Sequence, residues 1–270
     1  MDNWFKDYFL SCRAPFQNQS KLVQLSLQHN LIANIDQTSL HGLSASLTSL
    51  NLAANKLKFI HRDALRNITM LEQLQLQENE LEKVPEALSH LNQLTHLNLA
   101  SNLIGQLPRD FMQPGSKLQE LNLAANLIPN IVQDTFNNTV DISVINLAGN
   151  EIGNIDQGSL VRLSNLTELD LAHNRLTEID GVFPSLSSLR LLNVSMNQLK
   201  WFDMAFVPKQ LLVVDIQVAY FCISCFYSAH LYLYLHVSLC VSVSPLISVS
   251  LRLSVSFFIQ LLYVQYICIL

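Results

Sequence analysis

Few residues in this chain have types and spacings that could support chemistry. Cys222 and Cys225 form a C-x-x-C pair, the spacing of metal-binding and redox dithiols. A structural metal needs further ligands, no second pair accompanies this one, and its surroundings are low-complexity apolar sequence, so the pair reads as incidental. Three histidines, His29, His96 and His173, read as lying on short strands that face solvent or on their edges. The first and last stand six repeat units apart, roughly 29 Å at the spacing of neighbouring strands, and cannot share a site. No serine or cysteine recurs beside a base, and no glycine-rich phosphate loop is present. The expectation is a non-enzyme with no catalytic residues, no metal and no cofactor. Modification chemistry is better represented: N-x-S/T acceptors stand at Asn18, Asn67, Asn137, Asn165 and Asn193.

The elements that position these residues follow from an internal period. Asn30, Asn55, Asn79, Asn102, Asn126, Asn150, Asn174 and Asn197 succeed one another at intervals of 25, 24, 23, 24, 24, 24 and 23 residues. Each stands in the frame L-x-x-L-x-L-x-x-N-x-L. The first unit reads Leu22, Leu25, Leu27, Asn30, Ile32, and the third reads Leu71, Leu74, Leu76, Asn79, Leu81. The sixth, Ile142, Ile145, Leu147, Asn150, Ile152, and the eighth, Leu189, Leu192, Val194, Asn197, Leu199, show that aliphatic exchange is tolerated. Alternation at Leu25 and Leu27 is strand-like and sends Gln24, Ser26 and Gln28 to the opposite face. One such strand cannot bury its apolar face alone, whereas stacked units share a continuous core. The chain must turn inward after each strand, and an asparagine amide can satisfy the backbone groups left there. A second apolar set in each unit, such as Ile131 with Phe136, or Ile179 with Phe183 and Leu186, serves the back of the stack.

Over residues 16 to about 217 the sequence resembles the leucine-rich-repeat superfamily. Units of about 24 residues resemble the subclass common in secreted and cell-surface proteins such as Toll-like receptors and insect adhesion proteins. The resemblance implies an α/β repeat fold: a curved solenoid with a parallel sheet on its concave face, an irregular or short-helical convex side, and a role in protein recognition. Val84-Pro85-Glu86-Ala87-Leu88 departs toward the shorter repeat frequent in intracellular adaptors.

The organisation expected is a partial N-terminal repeat or flank over 1–21, a repeat domain over 22–217 with eight complete units and a truncated ninth, and a tail over 218–270. Leu211, Val214 and Ile216 open the ninth unit, which fails where Ala219 replaces asparagine. Every Asp and Glu, and every Lys and Arg except Arg252, lies before residue 218, so the apolar excess is concentrated in the tail. Its dipeptide alternation, Leu231-Tyr232-Leu233-Tyr234 and Val241-Ser242-Val243-Ser244, is what simple DNA repeats give when translated. Read-through of non-coding sequence is the first expectation for it, and a membrane anchor the alternative. No capping unit is recognisable at either end, Cys12 is the one cysteine outside the tail, and residues 1–7 have no continuous apolar stretch to serve as a secretory signal.

With a formal charge of -5 and no basic stripe, nucleic acid is not expected as a partner. A protein ligand is, and a membrane only if the tail is genuine. Strand positions facing away from the core form columns of amides beside small alanines, and the contact residues expected are Gln73, Gln75, His96, Asn98, Glu120, Asn122, Asn146, Glu168 and Asp170. The placement expected is extracellular or at the cell surface, with Asn67 and Asn137 on connecting segments and Asn193 on the concave strand. The alternatives are a cytoplasmic scaffold for signalling proteins and a truncated product without independent function.

Overall fold

The computed structural model describes residues 21–43, 46–179, 181–200 and 210–216, the single positions 16, 19 and 208, and the backbones of two later segments, Tyr234–Leu239 and Val249–Leu253. Each L-x-L core is a three-residue strand: Gln24–Ser26, Ser49–Asn51, Gln73–Gln75, His96–Asn98, Glu120–Asn122, Val144–Asn146, Glu168–Asp170 and Leu191–Asn193. They stand in sequence order in one sheet, paired in parallel, with the central aliphatics in register from Leu25 through Leu50, Leu74, Leu97, Leu121, Ile145 and Leu169 to Leu192. The truncated ninth unit adds Val213–Ile216 through the pairing of Leu192 with Val214. Two tail segments continue this edge. Tyr234–Leu239 pairs in parallel, with Val214 opposite Leu235, and Val249–Leu253 returns antiparallel, with Val237 opposite Leu251. Alternating apolar and small polar residues suit an extended chain, so the tail's dipeptide pattern is compatible with these pairings. The antiparallel return marks where the repeat geometry ends. Cys12, Cys222, Cys225 and the rest of the tail lie outside the described residues.

The frame asparagines bind unit to unit. Asn126 donates from Nδ2 to the carbonyl oxygens of Leu99 (3.0 Å), Leu123 (3.0 Å) and Ala124 (3.3 Å), while its Oδ1 accepts the Ile104 N–H at 3.0 Å. Leu123 and Ala124 belong to its own turn, and Leu99 and Ile104 to the unit before. The same set recurs at Asn55, Asn79, Asn102, Asn150, Asn174 and Asn197. Four polar groups of a buried bend are thereby satisfied by one side chain, which no aliphatic could do.

The residue before each frame asparagine is left-handed: His29, Ala54, Glu78, Ser101, Ala125, Gly149, His173 and Met196 have φ between 51° and 68°. This conformation costs an L-residue about 1 kcal/mol. It turns the N–H toward the next unit, as in Ala125 N–H to the Ala148 carbonyl at 2.8 Å. His29 and His173 are therefore turn residues beyond the strands, because the three-residue strand stops before reaching them.

Behind this turn the described residues make a second, shorter ladder at two places in the stack. Asn34–Ile35 pairs with Phe59–Ile60, and Asn130–Ile131 with Asn154–Ile155. In both, the residue six beyond the frame asparagine donates to the preceding unit: His61 N–H to the Ile35 carbonyl at 2.8 Å, and Asp156 N–H to that of Ile131 at 2.9 Å. Units 3 and 4 carry Pro85 and Pro108 at this position and have no N–H to give. Pro85 instead leads into the 3-10 turn Glu86–His90, the one helical element among the described residues. Among the described residues, short-helical structure on the convex side is thus confined to the unit with the variant sequence.

The core is a single column of frame aliphatics closed at the back by Phe111, Phe136 and Phe183, all buried. Phe111 and Phe136 pack with ring centroids 6.5 Å apart. We expect Asn126→Ala to lower stability in urea unfolding by about 3 kcal/mol, because it orphans several buried backbone groups. The exposed Asn130→Ala should cost under about 0.5 kcal/mol, and equal losses in the two variants would refute this view of the ladder.

Candidate functional site

The concave face presents side chains in three columns fixed by the parallel register. The first runs Gln73, His96, Glu120, Val144 and Glu168 over units 3 to 7, and the second runs Gln75, Asn98, Asn122, Asn146 and Asp170. The third begins Gln77, Ala100 and Ala124. Small side chains in the third column leave the second accessible from one side.

The second column has a local task as well. Oδ1 of Asn98, Asn122, Asn146 and Asp170 accepts the N–H of Ala100, Ala124, Ala148 and Ala172, at 3.0, 3.0, 3.0 and 2.9 Å. Each is an Asx turn that ends its strand. These residues thus offer outward chiefly what the turn leaves over, the amide Nδ2 of the asparagines and the second oxygen of Asp170. Asn51 uses that surplus across units, donating to Gln28 Oε1 at 2.8 Å.

At the centre of the face lies a concavity of about 260 Å³ lined by Gln75, His96, Asn98, Glu120, Asn122, Val144 and Asn146. His96 Nε2 stands 3.5 Å from Glu120 Oε1, with the two side chains 36% and 56% exposed. Its Nδ1 lies 2.8 Å from the Thr95 hydroxyl. Gln73, Glu168 and Asp170 sit on the same sheet beside this hollow. Val144 is the lining residue that sequence reading omits. Within Ile142-Ser143-Val144-Ile145 it looks like one more core aliphatic, but the alternation that turns Gln24 outward beside Leu25 applies to it too, and its register between Glu120 and Glu168 places it on the outward face.

The acceptor asparagines differ in setting. Asn67 is exposed beside an exposed Thr69, and Asn165 is exposed with its amide on the Val140 carbonyl at 3.2 Å. Asn137 is half-buried and tied to Asp134 Oδ1 at 2.9 Å, while Thr139 of its triplet is fully buried on the Phe136 carbonyl. Asn193 lies on its strand, with Oδ1 accepting from the N–H and hydroxyl of Ser195. Asn18 lies outside the described residues.

A second hollow, about 300 Å³, opens where Pro85 interrupts the rear ladder, lined in part by Lys58, Phe59, His61, Arg62 and Lys83. Phe59 is 53% exposed and meets the edge of His61 at 6.3 Å. Among the described residues no group of three or more His, Cys, Asp or Glu side chains could hold a metal ion, and no helix is long and apolar enough to cross a membrane.

The repeat is matched by the Leucine rich repeat family at residues 45–104, 93–152, 116–176 and 141–199, together more than half of the chain. The chain belongs to the leucine-rich-repeat family. It is 39% identical over 104 residues to a probable disease resistance protein of Arabidopsis thaliana, a stretch that is 38% of this chain and 12% of that protein. Its fold is similar to the crystal structure of a TLR13–ssRNA13 complex, with a TM-score of 0.64 and 26% identity, covering 72% of this chain and 28% of that one. Internalin C2 of Listeria monocytogenes is similar with a TM-score of 0.57 and 26% identity, covering 71% and 79%. The chain therefore spans only a small part of the disease resistance protein and of TLR13.

The double duty of the second column can be measured. Asn146→Ala should lower stability by about 1 kcal/mol through loss of the Asx turn, whereas Gln75→Ala, whose side chain holds no such turn, should be close to neutral. Equal thermal unfolding midpoints for the two variants would mean that the turn contributes nothing.

Proposed function

We propose that this chain is a recognition module that binds a protein partner through the concave strands of units 3 to 7, within a secreted or cell-surface protein. The observation that carries the reading is the unbroken parallel sheet, which holds ordered polar columns around a shallow hollow with Val144 on its floor. A specific interface needs roughly 800 Å² from each partner, an area that a sheet several strands wide supplies without a deep pocket. Likeness to internalin C2 and TLR13 supports the general role of binding.

The TLR13 structure is a complex with single-stranded RNA, so nucleic acid is the competing partner class. Charge favours protein. Along the strands and the residues leading directly into them, Glu72, Glu120, Glu168, Asp170 and Asp215 outnumber Arg190, and such a face repels phosphates. Placement outside the cell is supported by the exposed acceptor sites Asn67 and Asn165. The shorter third unit is the feature that favours a cytoplasmic scaffold instead.

Val144→Trp fills the hollow without touching an Asx turn and should abolish capture of the partner, as should Glu120→Lys with Glu168→Lys. The convex Arg162→Glu should leave capture unchanged. Capture that survives Val144→Trp and is lost in Arg162→Glu would move the site to the other face. Passed through the secretory pathway, the chain should show a glycosidase-sensitive mass shift that Asn67→Gln and Asn165→Gln reduce. A chain that emerges unmodified would favour the cytoplasmic alternative.

A further inference from the structure

The proton inventory around His96 points to a ligand. The Thr95 hydroxyl has one hydrogen and two close neighbours, the Glu72 carbonyl oxygen at 3.0 Å and His96 Nδ1 at 2.8 Å. That carbonyl already accepts the N–H groups of Thr95 at 2.9 Å and His96 at 3.0 Å, so the hydroxyl hydrogen can lie toward the carbonyl or toward Nδ1. The same hydroxyl-to-carbonyl bond recurs at Thr48, Ser143 and Thr167, where no histidine follows, and so belongs to the repeat itself. With the hydrogen on the carbonyl, as in those units, Thr95 Oγ1 accepts from the ring and Nδ1 carries the proton. In that tautomer of neutral His96 the lone pair sits on Nε2, which faces Glu120 Oε1 at 3.5 Å, and two acceptors share one hollow with no hydrogen between them.

We propose that this pair captures the ammonium or guanidinium group of a lysine or arginine side chain presented by the protein partner. The cation supplies hydrogens to both His96 Nε2 and Glu120, and its aliphatic stem lies on Val144, the next residue in register. This rests on the concave-face reading above and adds the chemistry of its central contact. Glu72, just before the strand on one side, and Glu168 and Asp170, beyond Val144 and Asn146 on the other, are the ionisable groups of the neighbouring strands, and all three favour a cation. Lys117, which leads toward the Glu120 strand, is held away by Gln93 Oε1 at 2.7 Å.

Nitrogen NMR of the histidine rings in the full chain reads the tautomer directly. The His96 signals should show Nδ1–H with a bare Nε2 at neutral pH, and Thr95→Val should release that preference. Titration with the tripeptide acetyl-Gly-Lys-Gly-amide at millimolar concentration should shift Nε2, whereas the Nε-acetylated peptide should not. Glu120→Gln should weaken the response about tenfold or more. A proton on Nε2 at neutral pH, no response to the lysine peptide, or an equal response to the acetylated one would overturn the proposal. If Val144→Trp still abolishes partner capture in that event, only the lysine contact falls. If Val144→Trp leaves capture intact, the concave-face reading fails on its own account.

Discussion

The rest of the structure depends on one exchange of hydrogen bonds, that between a frame asparagine and the bends of two successive units. A sharp turn over an apolar core strands carbonyl and amide groups where water cannot reach them. Each asparagine closes that deficit for its own unit and for its neighbour, so units are joined by polar bonds as well as by buried leucines. Stability then accumulates by nearest-neighbour interfaces, and an irregular unit is tolerated as long as its asparagine stays in place. Unit 3, with its proline and 3-10 turn, keeps Asn79 and its full set of contacts.

The same economy shapes the exposed face. Asn98, Asn122 and Asn146 stop their strands with one end of the amide and face solvent with the other. Display and architecture cannot be separated at these positions, but they can in the first column. His96, Glu120, Val144 and Glu168 are free of turn duties, and there specificity can change at little structural cost.

Much of this was legible from residue order. The recurrence of Asn30 to Asn197 with its flanking leucines fixes strand positions, parallel pairing and register, since a shared core leaves a frame of this regularity no other arrangement. The contact residues on the second column follow by alternation. Two features were not legible, and a third was legible only by strict alternation within the frame. Left-handed turns fall on His, Ala, Glu, Ser and Met as well as on Gly149, because the neighbouring hydrogen bonds impose the conformation whatever the side chain. Val144 hides among aliphatics, and the alternation that sets Ile145 and Leu147 inward is what separates it from them. From sequence alone, Pro85 marks a repeat subclass, whereas its physical content is a missing N–H that ends the rear ladder.

That missing donor has a mechanical consequence. Units 1 and 2 are clasped front and back, as are units 5 and 6. Units 4 and 5 are joined behind by the N–H groups of Asp110 and Phe111, which donate to the Asp134 and Thr135 carbonyls at 3.1 and 3.0 Å. Between units 2 and 3, where Pro85 has no N–H to give, the rear backbone bond is that from Glu80 N–H to the Leu57 carbonyl, so bending strain collects at this joint. The central hollow thus has a flexure at one side, at which the front face can alter its curvature around a guest while every strand keeps its partner.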